Sequence, residues 1–500
     1  MSAVIAVINE LAPPTPPVSI ESMVKSVLDE PRTPQQAKTT AILALLANID
    51  AVNLFSVCES LGWVSGSDNK PPAQKHIKVA VIHTLIETAK RHNWHVIHDS
   101  GFFYIFNGAY WVVLLDSEVK QLLKESAIKM GYTEIESRDA LFIDKLFQQA
   151  IQDGFFTERN IIKQSIINLK NGSLVLSEDG MTLKPFDYKD FLTHQLDFSH
   201  APLAKNKLFL KYLNEVLPDK DTQRTLQEVA GYLFVKGLKM EKIFFLYGTG
   251  ANGKSVFFEV LSQVIGKDNI SNYSLESLTD DRGYHRAMIK DKILNYGTDI
   301  KLTRIDAGVF KTLASGEPVE ARLPYREPFI MDDYAKLVFN VNRLDSANIE
   351  HTHGFYRRLL IIPFNQTISD DKQDKDLHKK ILHDRAGILN WIIEGAERVI
   401  KSRNIFISAE CEAFKLKFIK ETDSVAMYES NFLEEEDKGM IYFKTVTEAY
   451  IDYLEFCRDA GHKHPLGRNN FSVRMEAIGF SKLKKTNGWH LEKNYLKKEL

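Results

Sequence analysis

Apolar and polar residues change their spacing several times along the chain, and each change marks an element. Up to about residue 93 the apolar positions follow a helical repeat, broken by Pro13-Pro14-Thr15-Pro16-Pro17 and by a polar stretch from Ser65 to Pro72. Thr33-Pro34-Gln35-Gln36 reads as a helix start, a threonine cap before a proline at the first helical position, and Ala41 to Leu46 continues it. From Trp94 the texture becomes aromatic and β-prone: His95 to His98, Phe102 to Phe106, then Tyr110 to Leu115, with Asn107-Gly108 as the turn of a hairpin. Helical spacing returns over Ser117–Met130 and Asp139–Asp153, a short hairpin over Ile166–Leu176, and one helix over Phe209–Val235 that leads into the apolar strand Ile243–Tyr247.

Beyond that strand, apolar segments at Lys292–Thr298, Lys336–Val341 and Leu359–Pro363 read as further buried strands, and Val319–Ile330 as a hairpin. Helices are expected from about Asp371 to Tyr428. The acidic patch Glu434-Glu435-Glu436-Asp437 reads equally as a junction or a solvated helix end. Helical spacing over Val446–Arg458 and Arg468–Ile478, then a basic hairpin over Lys482–Leu491 with an Asn487-Gly488 turn, has the order of a winged helix-turn-helix.

Five hundred residues, 44% hydrophobic and 26% charged, describe a globular chain of about three domains. The net charge of −2 shows no overall attraction to nucleic acid, so any such surface is local. The last forty residues supply one: nine lysines and arginines stand against three glutamates, among them Lys463, Lys497 and Lys498. Cys58, Cys411 and Cys457 lack CxxC spacing, which argues against a conventional cysteine zinc site and for a reducing compartment. No apolar run reaches the roughly eighteen residues of a membrane span, and the N-terminus lacks a signal pattern, so a cytoplasmic protein is expected.

The strongest chemical signal is Gly248-Thr249-Gly250-Ala251-Asn252-Gly253-Lys254-Ser255, set between the strand ending at Tyr247 and a helical pattern starting at Val256. Glycines let the backbone curl so that successive N–H groups converge on one anion, and the following helix adds its positive end. ATP is the expected ligand, with Lys254 reaching its β- and γ-phosphates and Ser255 placing a hydroxyl on Mg²⁺. Hydrolysis also needs an acid at the end of a neighbouring strand. Asp299 is the candidate, about forty-five residues after Lys254, with a helix-capping role as its alternative; Asp291 and Asp306 are rivals. Asn342, after its own strand, is placed to orient water or touch the γ-phosphate. Arg357 and Arg358 precede another strand; they read as a surface pair or as the guanidinium that stabilises transition-state charge in a neighbouring subunit. At the hairpin, Pro324, Tyr325 and Arg326 lie near the tip, with Lys311 and Arg322 flanking it, an aromatic face and cations suited to a polynucleotide. In the tail, Asn469, Asn470 and Arg474 are candidate DNA contacts, and Lys482, Lys484 and Lys485 candidate phosphate contacts; a basic lobe that only packs on the rest is the alternative.

The phosphate loop, the strand ending in an acid, the Lys311–Phe329 block, the strand before Asn342 and the Arg357-Arg358 pair before Pro363-Phe364 together resemble superfamily 3 helicases. The likeness is to the phage and plasmid primase-helicases related to the poxvirus primase-helicase, and it extends upstream to about Phe102. It implies an α/β multidomain fold with an AAA+-like motor on a parallel sheet, preceded by a mixed α+β region and followed by a helical segment and a winged helix. On this reading residues 1–93 form a helical accessory region, 94–204 the α+β domain, 205–375 the motor, 376–433 the helical segment and 434–500 the winged-helix-like domain. It also implies a hexameric ring, ATP between subunits, and hairpins facing a channel around single-stranded or forked DNA. Many relatives carry a glutamate or paired acids where Asp299 stands. Ninety residues before the shared region are too few for a primase, so helicase without primase is expected, with a separate primase or other replication proteins as partners. The competing classes are a DNA-binding ATPase switch or loader without unwinding, and a monomeric phosphate-loop kinase, which the arginine pair and the lack of an acceptor site disfavour.

Overall fold

The computed structural model describes residues 34–65, 70–92, 94–153, 163–298, 305–342, 353–369, 371, 373–435, 441–461 and 465–494. They fall in two compact units, Met1–Pro202 and Leu203–Leu500.

In the first unit, helices α1 (Pro34–Ala47), α2 (Leu54–Ser60) and α3 (Gln74–Arg91) precede an antiparallel meander of β1 (Val96–Asp99), β2 (Phe102–Phe106) and β3 (Trp111–Leu114). Asn107 Oδ1 accepts the N–H groups of Ala109 and Tyr110, which closes the β2–β3 turn. Helices α4 (Asp116–Lys129) and α5 (Ala140–Asp153) follow. Residues on both sides of the boundary expected near residue 93 share a core. One apolar core takes in Leu45 of α1, Cys58 of α2, Val81 and Leu85 of α3, Phe103 of β2, Leu114 of β3, Leu123 of α4 and Leu146 of α5. Amphipathic helices this short hold no core of their own, so their apolar faces close on the sheet. The expected hairpin at Ile166–Leu176 gains a third strand: β4 (Ser165–Leu169), β5 (Gly172–Ser177) and β6 (Gly180–Lys184) form one meander.

The second unit opens with α6 (Lys207–Val216) and α7 (Lys220–Tyr232) where a single helix was expected. Pro218 has no N–H to continue the ladder, and Asp219 restarts it by accepting the N–H of Thr222 at 2.7 Å. Helix α7 packs against a later helix, Arg385–Ser402, at very short range. A Cβ on Gly231 would meet the Gly395 carbonyl carbon at 2.5 Å, and one on Gly395 would meet that of Gln227 at 2.7 Å. Buried Glu228 fastens the same crossing, accepting Arg224 Nε at 2.9 Å, Arg398 Nε at 3.0 Å and the Phe406 N–H at 2.7 Å. Gly395→Ala is therefore expected to cost about 1–3 kcal/mol through backbone overpacking. Calorimetry of the intact chain checks it, with Gly467→Ala, where a methyl meets nothing within 4 Å, as the control.

The centre of this unit is a parallel sheet. Its strands are β7 (Ile243–Tyr247), β8 (Ile270–Ser271), β9 (Leu294–Gly297), β12 (Lys336–Val341) and β13 (Leu359–Pro363), in the order β13-β7-β12-β9-β8. β7 reads Ile-Phe-Phe-Leu-Tyr, the near-continuous apolar run expected of a strand covered on both faces. Helix α8 (Lys254–Ile265) follows β7, and α9 (Ala307–Ser315) precedes a two-stranded hairpin of β10 (Val319–Ala321) and β11 (Phe329–Met331). Helices α10 (Arg385–Ser402), α11 (Ala409–Thr422) and α12 (Ser424–Glu435) come next.

The chain then runs through β14 (Ile441–Thr445), α13 (Val446–Asp459), α14 (Arg468–Ala477), β15 (Ser481–Lys485) and β16 (Gly488–Asn494), with β16 between β14 and β15. Val425 and Tyr428 of α12 share a core with Tyr453, Phe471, Met475 and Leu491, so α12 packs with the tail. Glu434 and Glu435 end α12, while Glu436 and Asp437 lie outside the described residues.

Candidate nucleotide site and nucleic-acid elements

The phosphate loop leaves the carboxyl end of β7, a strand flanked on both sides, and turns into α8. Three residues in four have positive φ: Gly250 at 114°, Ala251 at 48° and Gly253 at 84°. Glycine is required twice on contact grounds as well. At Gly248 a Cβ would run into Asn252 and lie 2.8 Å from the Phe364 carbonyl oxygen; at Gly253 it would lie 2.5 Å from Val216 Cγ1. Gly253 has no side-chain oxygen to cap α8; its carbonyl takes the N–H groups of Val256 (2.9 Å) and Phe257 (3.1 Å), and the positive end of the helix suits an anion.

Lys254 is buried, and its Nζ donates to the Gly248 carbonyl at 2.5 Å and to Asn252 Oδ1 at 3.1 Å, folding back over the loop it follows. Asn252 is also buried, and its Nδ2 has no hydrogen-bond partner among the described residues. An anion drawn into the curl would meet an ammonium and an amide already facing inward. Thr249, Gly250, Ala251 and Ser255 are exposed. The loop is anchored from outside by the Gly248 N–H on the Val341 carbonyl (3.1 Å) and the Ile368 N–H on the Ala251 carbonyl (2.7 Å). A third anchor was not legible in the sequence: Tyr212 of α6 donates its hydroxyl to the Gly253 carbonyl at 2.8 Å, and burial pushes its phenol up, so it stays a donor.

Asn342 comes one residue after β12, whose Val341 is paired with Tyr247, so the strand end delivers it beside the start of the loop. Two residues earlier, Asn340 Oδ1 accepts the buried Tyr296 hydroxyl at 2.5 Å, tying β12 to β9 just below their carboxyl ends. Burial holds the Tyr296 phenol well above its usual range, and the Phe258 ring of α8 packs on it with centroids 4.0 Å apart. Asp299 lies outside the described residues; β9 ends at Gly297. Both of its rivals have other situations. Asp306 caps α9 through the Val309 N–H at 2.7 Å, and Asp291 precedes β9, at the end of the sheet away from the loop.

The arginine pair is at that far end too. Leu359 pairs with Ile243 and Pro363 with Tyr247, so Arg357 and Arg358 stand at the amino edge of the strands while the phosphate loop stands at the carboxyl edge. About 15 Å of strand separates the two. Arg358 is mostly buried and donates to Ser315 Oγ (3.0 Å) and the Gly354 carbonyl (2.7 Å). Arg357 is half exposed and pairs at 2.7 Å with Glu241, a residue 116 positions away that no local pattern connects to it.

The hairpin expected over Val319–Ile330 is present, with short strands and a long tip. Arg322 Nε donates to the Arg326 carbonyl at 3.1 Å and the Arg326 N–H to Leu323 at 3.2 Å, which closes the tip. Tyr325 at its apex is fully exposed and has φ 59°, an unfavourable conformation for an aromatic residue that packing does not explain. Lys311 is half-buried on α9, and Arg322 is exposed.

In the tail, Asn469 and Asn470 are exposed in the first turn of α14, and Lys484 and Lys485 are exposed on β15. Lys482 is half-buried, 3.3 Å from Glu476. Arg474 is engaged within the fold: its Nε donates to the buried Asp423 carboxylate at 2.6 Å, and Asp423 in turn accepts the N–H groups of Val425 and Ala426 at the start of α12. It is an internal brace. Lys463, Lys497 and Lys498 lie outside the described residues. The three cysteines are buried free thiols, and among the described residues no helix is long and apolar enough to cross a membrane.

Comparison with known proteins bears on this same stretch. Residues 246–358, from the end of β7 to Arg358, match a family described as a family of unknown function, DUF5906. Over 183 residues the chain is 24% identical to a putative helicase, L207/L206, of Acanthamoeba polyphaga mimivirus; the match covers 34% of this chain and only 18% of that relative. Among solved structures, an A form apo structure of the NrS-1 C terminal region is similar over 81% of this chain and 97% of its own, at 9% identity and a TM-score of 0.46. A second apo structure of that region, residues 305–718, covers 83% and 98%, at 11% identity and a TM-score of 0.40.

Proposed function

We propose that the chain is an ATP-dependent DNA helicase or translocase of the superfamily 3 type, working as a ring in replication of a phage, plasmid or integrated element. One observation carries the reading: loop and arginines occupy opposite ends of a single parallel sheet. A protomer built this way has its guanidinium out of reach of its own nucleotide. A second copy, set with its amino edge against the first copy's loop, supplies it. That contact is head-to-tail, and repeated about an axis it closes into a ring, a hexamer by the resemblance.

ATP is the substrate. Lys254, Asn252 and the loop N–H groups suit its phosphates, and Ser255 with Asp299 would hold Mg²⁺, which neutralises charge on those phosphates when bound. Asn342 would orient the attacking water, and Tyr212 and the Tyr296–Asn340 bond would keep the loop and strand end in position. The order β13-β7-β12-β9-β8 sets the Asn342 strand between the loop strand and the strand leading to Asp299, which suits an AAA+-like motor spanning residues 205–375. The order α12, β14, α13, α14, β15, β16 suits a winged helix. The likeness to a putative viral helicase supports the same class.

Tyr325, Arg322, Arg326 and Lys311 form the element that grips single-stranded DNA. Arg326→Ala is expected to leave ATP turnover without DNA within twofold of the parent, to remove its stimulation by oligo(dT), and to abolish strand displacement on forked substrates with 3′ or 5′ tails. A phosphate release assay and a gel displacement assay read these directly. Equal loss of turnover with and without DNA would remove the hairpin from the DNA path. Stimulation by DNA with no displacement from any fork would leave a DNA-binding switch or loader.

A further inference from the structure

We propose that Trp489 is a stacking platform for an unpaired base, which makes the C-terminal wing a reader of single strand next to duplex. The inference rests on the reading of the tail as a DNA-binding module and names what that module prefers. Lys484 is paired across the β15–β16 ladder with Trp489, and Lys482 with Leu491, so Lys482, Lys484 and Trp489 share one face of the wing. The indole is 49% exposed, while Trp94, Trp111 and Trp391 are each 9% exposed or less. The Lys482 and Lys484 ammonium groups stand 5.4 and 6.0 Å from its centroid, at the outer limit of a cation–π contact, so an incoming ring displaces little. The other exposed aromatic of this sheet, Phe443, is already engaged: His490 stacks on it at 4.8 Å and Lys485 lies 4.1 Å from its centroid.

Charge selects the occupant. Residues 477–491 contain three lysines and no carboxylate, and Glu476 on α14 meets Lys482 alone. An open indole between ammonium groups fits a chain of planar rings strung on phosphates. Bases inside a duplex have both faces covered by their neighbours, so only an unpaired or terminal base can lie on the indole.

The test uses the full chain carrying Tyr325→Ala and Arg326→Ala, which silences the hairpin. Oligo(dT), a blunt duplex and the same duplex with a single-stranded tail are titrated, following anisotropy and intrinsic tryptophan fluorescence. Oligo(dT) is expected to quench the parent and to leave the Trp489→Phe protein nearly unquenched. Trp489→Ala is expected to weaken tailed duplex and oligo(dT) about tenfold, the equivalent of one base–aromatic stack. Its effect on blunt duplex should stay within twofold, and Trp489→Phe should recover part of the loss. Equal quenching of parent and Trp489→Phe, an equal loss on blunt and tailed duplex, or displacement of the DNA by polyglutamate at equal charge concentration would overturn the stacking role. The combined Lys482→Gln, Lys484→Gln and Lys485→Gln protein separates the two readings. If it binds every DNA as the parent does, the tail is no DNA module; if it weakens all of them while Trp489→Ala changes nothing, only the stack is lost.

Discussion

Lys254→Ala is expected to lower ATP turnover by at least about a hundredfold and to abolish strand displacement with it, whether or not DNA is present. The size follows from where the ammonium sits. Lys254 is buried and fixed by two acceptors, the Gly248 carbonyl and Asn252, so its charge acts in a site shielded from water, where a preorganised donor contributes far more than at a surface. Removing it also frees Asn252 and Gly248 from the contact that folds the loop. Lys254→Met, which keeps much of the side-chain volume, should be as inactive while holding the melting temperature near that of the parent. Calorimetry beside a phosphate release assay separates loss of charge from loss of loop shape. A tenfold effect or less would mean that the phosphates are held mainly by backbone N–H groups.

Much of this site was legible because its signals are local. A glycine-rich loop ending in Lys-Ser between an apolar strand and a helix suits few ligands besides a phosphate chain, and β7, β12 and β13 stand where their apolar runs placed them. The hairpin and the two tail helices were equally readable, since each depends on turn chemistry or periodicity within a few residues. What the sequence withheld depends on partners distant in the chain. Tyr212 is one of two aromatic residues on an amphipathic helix, and only the fold shows its hydroxyl on the Gly253 carbonyl. Arg474 looked like any basic residue of a recognition helix; its carboxylate, Asp423, lies 51 residues away. β6 was missed for a different reason. Met181-Thr182-Leu183-Lys184 does alternate apolar and polar residues, but the run is only four long and the fold leaves Met181 and Leu183 exposed, so it carries no core-facing stripe. The unbroken helix expected over Phe209–Val235 failed at Pro218 because apolar spacing continued across a break that proline and the Asp219 cap both announce.

In mixed assemblies, subunits carrying Arg357→Ala are expected to reduce ATP turnover well beyond their fraction, with the uniform variant down about a thousandfold or more, as when a trans-acting guanidinium is withdrawn. Arg357 is the better candidate of the pair. It is half exposed and pairs at 2.7 Å with Glu241, itself at the surface, whereas Arg358 is mostly buried and held by Ser315 and Gly354, with the same Glu241 carboxylate 3.8 Å away. Glu241 has φ 50°, a costly conformation for a glutamate, and holds Arg357 in the single chain. A phosphate from a neighbouring copy would have to draw the guanidinium off that carboxylate. Glu241→Gln removes the competing charge and keeps the shape, so it should raise turnover at limiting protein concentration, and the gain should vanish on an Arg357→Ala background, where only the longer Arg358 pair at 3.8 Å is left to lose. Arg358→Ala should instead lower the melting temperature, since it strips Ser315 and Gly354 of their donor. Turnover measured across a series of mixing ratios decides between the arrangements: a steep curve means that sites are shared between copies, and a straight line means that each chain completes its own.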